Sequence, residues 1–278
     1  MYIRDQVVVL KKSPYREHDR RYIMYGRRHG LLIAAARGAM KLKAKQAARL
    51  EPLTLADVMI AKGRNFDQIA VATRLDVSRQ LPSTVYRLPS DVGHITSLGG
   101  LAVAGAFADL FLRLIRPGVA DERLFALWEE LVACLAELPQ EPTALRAQLM
   151  FAAASLKLMD ALGYGPALSA KCGACRHPFD FAQGLPMGPT DVWYAPGQNA
   201  LVCSDCVKAS KEPAIPAKVH SIALLRFMRA SPLPDVLRVS LNLEVGQNVL
   251  RIIQEVWQHA PLDRQPHGLE TIQAIMAG

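Results

Sequence analysis

Four of the chain's five cysteines fall into two pairs, Cys172-Gly-Ala-Cys175 and Cys203-Ser-Asp-Cys206, with 27 residues between them. Each pair puts two soft sulfur ligands on one tight knuckle. Two such knuckles close a tetrahedron, which Zn²⁺ accepts because its filled d shell imposes no other geometry. Four thiolates leave no open coordination position, so the spacing predicts one structural zinc per chain and disfavours a catalytic one. The intervening stretch carries Pro178, Gly184, Pro186, Gly188, Pro189, Pro196 and Gly197, which suits a small ribbon held by metal more than by a core. A redox Cys-x-x-Cys needs only one pair at a helix start. Structural disulfides need an oxidising compartment, to which nothing in the chain points. Cys134 lies on an apolar helical pattern and reads as a buried thiol.

The second chemical signal is charge. Residues 1–79 hold 17 Lys and Arg against 7 Asp and Glu, a net of +10, whereas residues 80–278 hold 16 against 18, a net of −2. A basic excess confined to one quarter of the chain suggests a polyanionic partner for that quarter. The candidate contacts are Lys11, Lys12, Arg16, Arg20, Arg21, Arg27, Arg28, Arg37, Lys41, Lys43, Lys45 and Arg64. The run from Arg37 to Lys45 has no apolar periodicity and reads as a mobile basic loop able to follow a phosphate backbone. Tyr15, Tyr25 and Phe66 are candidates for stacking on bases. Catalytic constellations are missing: there is no Gly-rich phosphate loop, no His-x-Glu beside the cysteines and no nucleophile elbow. A non-enzymatic protein is expected.

The elements that position these residues follow from periodicity. Short β-branched or aromatic runs at 7–10, 22–25, 31–33, 54–61 and 68–75, with turns at His29-Gly30 and Gly63-Arg64-Asn65, predict five strands. Five strands in so short a stretch fit an oligonucleotide-binding barrel (OB-fold), and an SH3-like barrel shares the pattern. Past Pro89 the period turns helical. Helices are predicted over 95–115, from an Asp121 cap to before Pro139, from Thr143 to Gly163, and over 221–229 and 249–257.

The fold class is therefore multi-domain α+β: residues 1–79 an OB-fold nucleic-acid-binding domain and 80–164 the first part of an all-α helical domain. Residues 165–210 form a four-cysteine zinc ribbon inserted into it, and 211–278 are its C-terminal part. The N-terminus lacks the apolar run of a signal peptide, and the longest apolar stretch, 98–112, contains Asp109. A cytoplasmic, nucleoid-associated protein without a membrane partner is expected.

Ser-Pro-Tyr-Arg-Glu-His-Asp at 13–19, His-Gly-Leu-Leu at 29–32, Ala-Arg-Gly-Ala at 36–39 and Met-Asp-Ala-Leu-Gly-Tyr at 159–164 precede the first cysteine pair in order. Trp-Tyr-Ala-Pro-Gly at 193–197 and Leu-Val-Cys-Ser-Asp-Cys at 201–206 follow it. In this order and spacing the chain resembles the bacterial RecO family, loosely so over its last sixty residues. The resemblance implies a recombination mediator in DNA repair that binds single- and double-stranded DNA and anneals complementary strands. It also implies action with RecR, contact with the C-terminal tail of the single-stranded DNA-binding protein (SSB), and help in loading RecA onto SSB-coated DNA. For the tail, Arg113, Arg116, Arg123 and Arg146 are candidate rim cations on the helical body. Two other readings are a zinc-ribbon transcription or translation factor and a zinc-dependent nucleic-acid-modifying enzyme.

Overall fold

A computed structural model of the chain describes residues 1–41, 47–75, 95, 97–138, 143–179, 192–240, 242–260 and 268–277. The chain divides into two compact units, Met1–Glu141 and Pro142–Gly278. This division takes residues 98–136 with the N-terminal strands, whereas the sequence reading grouped them with the later helices. The boundary read at 79/80 lies outside the described residues.

The first unit opens with β1 (Tyr2–Pro14), β2 (Arg20–Gly26), β3 (Gly30–Ala36), β4 (Leu55–Ala61) and β5 (Gln68–Arg74). They close a barrel in the order β1-β2-β3-β5-β4, antiparallel except for the β3–β5 contact at Ala35 and Gln68. That is an OB-fold. β1 is longer than its apolar run because its polar ends still pair: Ser13 with Arg21 of β2, and Arg4 with Met59 of β4. Within the run, Val7 and Val9 enter the barrel core with Tyr22, Met24, Leu50 and Val58. Val8 and Leu10, which point the other way, are buried as well. Burial on both faces is why this strand reads as an unbroken apolar run and not as an alternation.

The outer cover comes from α1 (Leu98–Leu114) and α2 (Glu122–Ala136). Each starts where a side chain satisfies a free backbone donor: Ser97 accepts from the Gly100 N–H at 3.0 Å and Asp121 from the Arg123 N–H at 2.9 Å. Phe107 and Phe111 meet Trp128 edge-on, with centroids 4.8 and 5.5 Å apart. Tyr25 joins this cluster against Phe111 at 4.9 Å, and its hydroxyl accepts from the Asp121 N–H at 3.0 Å. Tyr25 is thus fully buried and offers no face to a base. The turn at Gly30 has φ +65°, and a Cβ there would lie 2.3 Å from the Val119 carbonyl oxygen, so glycine lets the α1–α2 connection pass directly over it.

The second unit is built on α3 (Ala144–Ala161), begun by a Thr143 cap. After the cysteine module the chain returns to it through α5 (Val219–Ala230), α6 (Leu233–Arg238), α7 (Leu243–Gln258) and α8 (Gly268–Ala277). All four of these helices pack on α3, with Phe151 against Trp257 at 5.1 Å as one anchor. The module therefore interrupts a helical unit that closes again behind it. It comprises β6 (Val192–Ala195), β7 (Ala200–Cys203), the short helix α4 (Ser204–Ser210) and β8 (Ile215–Pro216), with sheet order β7-β6-β8. Among the described residues no helix is long and apolar enough to cross a membrane.

Candidate nucleic-acid interface and metal centre

The four paired cysteines converge. The sulfurs of Cys172, Cys175, Cys203 and Cys206 all lie within 4.8 Å of one another, and Cys175 and Cys203 are 3.8 Å apart. The first knuckle is a turn in which the Cys172 N–H donates to the His177 carbonyl at 2.8 Å and Arg176 adopts φ +63°. The second forms where β7 runs into α4, so Cys206 sits on the first helical turn. The Gly173 N–H donates to the Leu201 carbonyl at 2.8 Å and ties the knuckles together. Burial opposes ionisation of Cys172, but the N–H groups of Cys175, Cys203 and Ala174 outweigh it and hold the thiol down to about 6. Hydrogen bonds with the other thiols, Cys203 first, push Cys206 up to about 12. Four converging sulfurs of this kind suit a soft cation such as zinc. His177, next in space to the first knuckle, is not one of the four converging groups.

The module is anchored by residues that the cysteine pattern does not reveal. Asn199, at φ +48°, accepts from the Tyr194 hydroxyl at 2.8 Å and donates to the carbonyls of Tyr164 and Gly165 at 3.1 and 3.3 Å. From α5, Arg226 donates to the carbonyls of Leu168 and Ser169, both at 2.9 Å. Arg229 donates to the Pro166 carbonyl at 2.6 Å and pairs with Asp160 at 2.6 Å. The three-residue spacing of these arginines on one helix face was the available signal.

The barrel register sorts the basic candidates into two ends. Lys12, Arg20 and Arg21 flank the β1–β2 loop, which carries Arg16, and Arg37 and Lys41 follow the end of β3. Arg64 lies in the β4–β5 turn, which meets the β1–β2 loop because the rings of Phe66 and Tyr15 stack with centroids 4.7 Å apart. Lys11, Arg16, Arg21, Arg37, Lys41 and Arg64 are exposed. Lys12 and Arg20 both pair with Glu51, which leaves a cationic surplus at this end. Arg27 and Arg28 occupy the opposite end of β2, where Arg28 is exposed. Arg27 is spent on α2: its guanidinium lies 4.6 Å from the Phe125 centroid and pairs with Glu129 at 2.5 Å. Lys43 and Lys45 lie outside the described residues. The described segment before them is pinned, since the Gly38 N–H donates to Asp19 at 2.8 Å and the Met40 N–H to the His18 carbonyl at 3.0 Å.

The rim cations expected on the helical body are mostly engaged. Arg113 pairs with Asp109 and Arg123 with Asp121, at 2.8 and 2.7 Å. Arg146 donates to the Leu237 carbonyl at 2.9 Å.

Family models match two stretches of the chain. Residues 1–77 match "Recombination protein O N terminal" and residues 96–260 match "Recombination protein O C terminal". The chain belongs to the RecO family. Among curated relatives, the "DNA repair protein RecO" of Synechococcus sp. (strain JA-2-3B'a(2-13)) is 27% identical over 272 residues, covering 96% of this chain and 88% of the relative. That of Rubrobacter xylanophilus is 27% identical over 258 residues, covering 93% and 92%. That of Heliobacterium modesticaldum is 28% identical over 253 residues, covering 91% and 81%. The first RecO match spans the barrel and the second contains all four cysteines, so both candidate sites fall within family segments. In this RecO-family chain the second match ends at residue 260, before α8 begins.

Proposed function

We propose that this chain is a non-enzymatic recombination mediator in DNA repair, acting in the cytoplasm on the nucleoid. It binds single- and double-stranded DNA through the barrel end formed by the β1–β2 loop, the β4–β5 turn and the segment after β3. The observation that carries this reading is the meeting of the two loops at Tyr15 and Phe66, with Arg16, Arg21, Arg37, Lys41 and Arg64 exposed around them. In OB-folds those loops and the face of β2 and β3 are where oligonucleotides bind. The cations neutralise phosphates without reading sequence, as a mediator acting on any gap requires. Lys43 and Lys45 extend the same basic segment in sequence. Arg27 serves the fold and makes no DNA contact in this scheme.

The cysteine cluster holds one structural zinc. A tetrahedron with Zn–S bonds of ~2.3 Å has edges of ~3.8 Å, and the Cys175–Cys203 separation of 3.8 Å already matches such an edge. With four sulfur ligands the ion supplies local folding and no reaction. In the family role, the chain anneals complementary strands and acts with RecR to help RecA load onto DNA coated with SSB, whose C-terminal tail it contacts.

Annealing of SSB-coated complementary strands is the test. The chain should accelerate annealing of coated strands, and RecR should be needed for RecA to displace SSB from gapped DNA. Binding to DNA with no annealing of coated strands would reduce the protein to a simple nucleic-acid binder.

A further inference from the structure

We propose that Tyr15 and Phe66 form a two-ring slot for one unpaired nucleobase, closed on itself in the free chain. The proposal rests on the DNA reading above and names what that barrel end recognises. Tyr15 is 37% exposed, and neither ring belongs to the barrel core, so the pair is not explained by packing of the fold. The rings are nearly parallel, with centroids 4.7 Å apart and planes inclined by 20°.

Each loop is held in its own way. In the β1–β2 loop the Tyr15 N–H donates to the Asp19 carbonyl at 3.0 Å, and the Asp19 carboxylate accepts from the Gly38 N–H at 2.8 Å. In the β4–β5 turn, Asp67 accepts from the Gly63 N–H at 3.2 Å and from Lys62 at 2.7 Å, while its carbonyl accepts from the Ala35 N–H at 2.9 Å. None of these bonds runs from one loop to the other, so parting the rings breaks a stacking contact and leaves both loops anchored. The turn that aims Phe66 is itself specific: a Cβ on Gly63 would lie 2.0 Å from the Phe66 carbonyl oxygen.

A base entering the slot replaces one ring contact by two. It needs the planes roughly 7 Å apart, twice a carbon–carbon contact of ~3.5 Å, so the two rings, now stacked on each other, must part by the thickness of one base. Arg16, whose guanidinium carbon is 5.3 Å from the Tyr15 centroid, and Arg64, two residues before Phe66, stand ready for the flanking phosphates. Every base presents a π face, so the slot tolerates any sequence. Bases of an intact duplex are already stacked and paired, so the slot distinguishes single strands while the arginines serve both forms.

The test uses the full chain and three labelled probes of equal length: oligothymidylate, the same backbone without bases, and duplex DNA. Tyr15→Ala and Phe66→Ala should each weaken oligothymidylate binding about tenfold, within the range for loss of one base–aromatic stack, and leave the other two probes unchanged. Phe66→Trp, which keeps the stack, should retain affinity and show an emission change, relative to the unaltered chain, with oligothymidylate but not with the base-free backbone. Tighter binding by Phe66→Ala would overturn the slot, because it would make that ring a competitor of the base. Equal losses on all three probes would also overturn it and make the rings a brace for the loops. If the unaltered chain binds none of the probes, the DNA reading itself fails; if it binds all three and neither alanine variant differs, only the slot fails.

Discussion

The barrel and the cysteine module both hold loops in place, from unequal resources. In the barrel, Val7, Val9, Tyr22, Met24, Leu50 and Val58 are wholly buried in one closed core, and the loops at its end inherit their positions from it. Between residues 165 and 210 the strands β6 and β7 have four residues each and α4 has seven, and among the described residues there the wholly buried side chains are Cys172, Tyr194 and Leu201. A core of that size cannot offset the entropy of ordering its chain. One region is positioned by packing and the other by convergence of four sulfurs and a few arginine-to-carbonyl bonds. The difference teaches where each should fail.

The largest effect should come from removing the ligand set. A strong chelator, or Cys203→Ser, should release one zinc per chain and forfeit binding free energy on the order of 10 kcal/mol. Hydrogen exchange should then show lost protection in the module while the amides of β1–β5 keep theirs. Metal-free protein with full protection in both regions would break the contrast. Next in size is the converse experiment. Leu50→Ala, at a fully buried barrel position, should cost about 2–5 kcal/mol of barrel stability, measured by denaturant melts, with zinc content unchanged.

The two barrel ends should then separate by salt dependence. Replacing Arg16, Arg37 and Arg64 together by Ala should make the slope of log K against log salt shallower by about 2, from ~0.7 per phosphate on single strands. Arg27→Ala should leave that slope alone and lower the melting temperature, since it uncovers Phe125 and strands the largely buried Glu129, whose carboxyl burial already pushes up.

The smallest effect concerns Asp121. Its hydrogen bonds with Arg123 hold the carboxyl below the usual carboxylate range. A group so lowered contributes stability above its unfolded value, near 3.9, and loses it as pH falls through the folded one. Asp121→Asn keeps the cap, because Asn and Asp cap about equally well. It should therefore cost about 0.3–1 kcal/mol at neutral pH, the worth of an exposed charge near a helix N-terminus, and progressively less as the pH falls below the unfolded value and through the folded one.

Much of this was legible beforehand. The cysteine spacing announced the cluster, and the Asp121 and Thr143 caps lie where the helical periods begin, whereas the first helix starts at a Ser97 cap, two residues past the predicted start at 95. Tyr25 was misread as a base-stacking candidate because an aromatic between basic residues looks alike whether it faces solvent or a helix ~85 residues on in the chain; only packing against Phe111 distinguishes them. Arg27 eluded the charge pattern for the same reason, its partner Glu129 being 102 residues away. The short β8 and α6, with two and six residues, carry too little periodicity to be read.

Asn199 shows how narrow the choice of residue becomes where local and distant demands coincide. Its backbone is left-handed, which admits Gly, Asn or Asp with little strain. Its side chain must also accept a proton from a phenol and donate two to carbonyls at the end of α3. Gly meets the first demand and neither of the others; Asp accepts but cannot donate, and would set a negative charge against two carbonyl oxygens. Of the twenty amino acids, one satisfies all three. A mutational scan across the module should therefore tolerate many exchanges on the surface of α4 and none at this position, although it supplies no sulfur to the cluster.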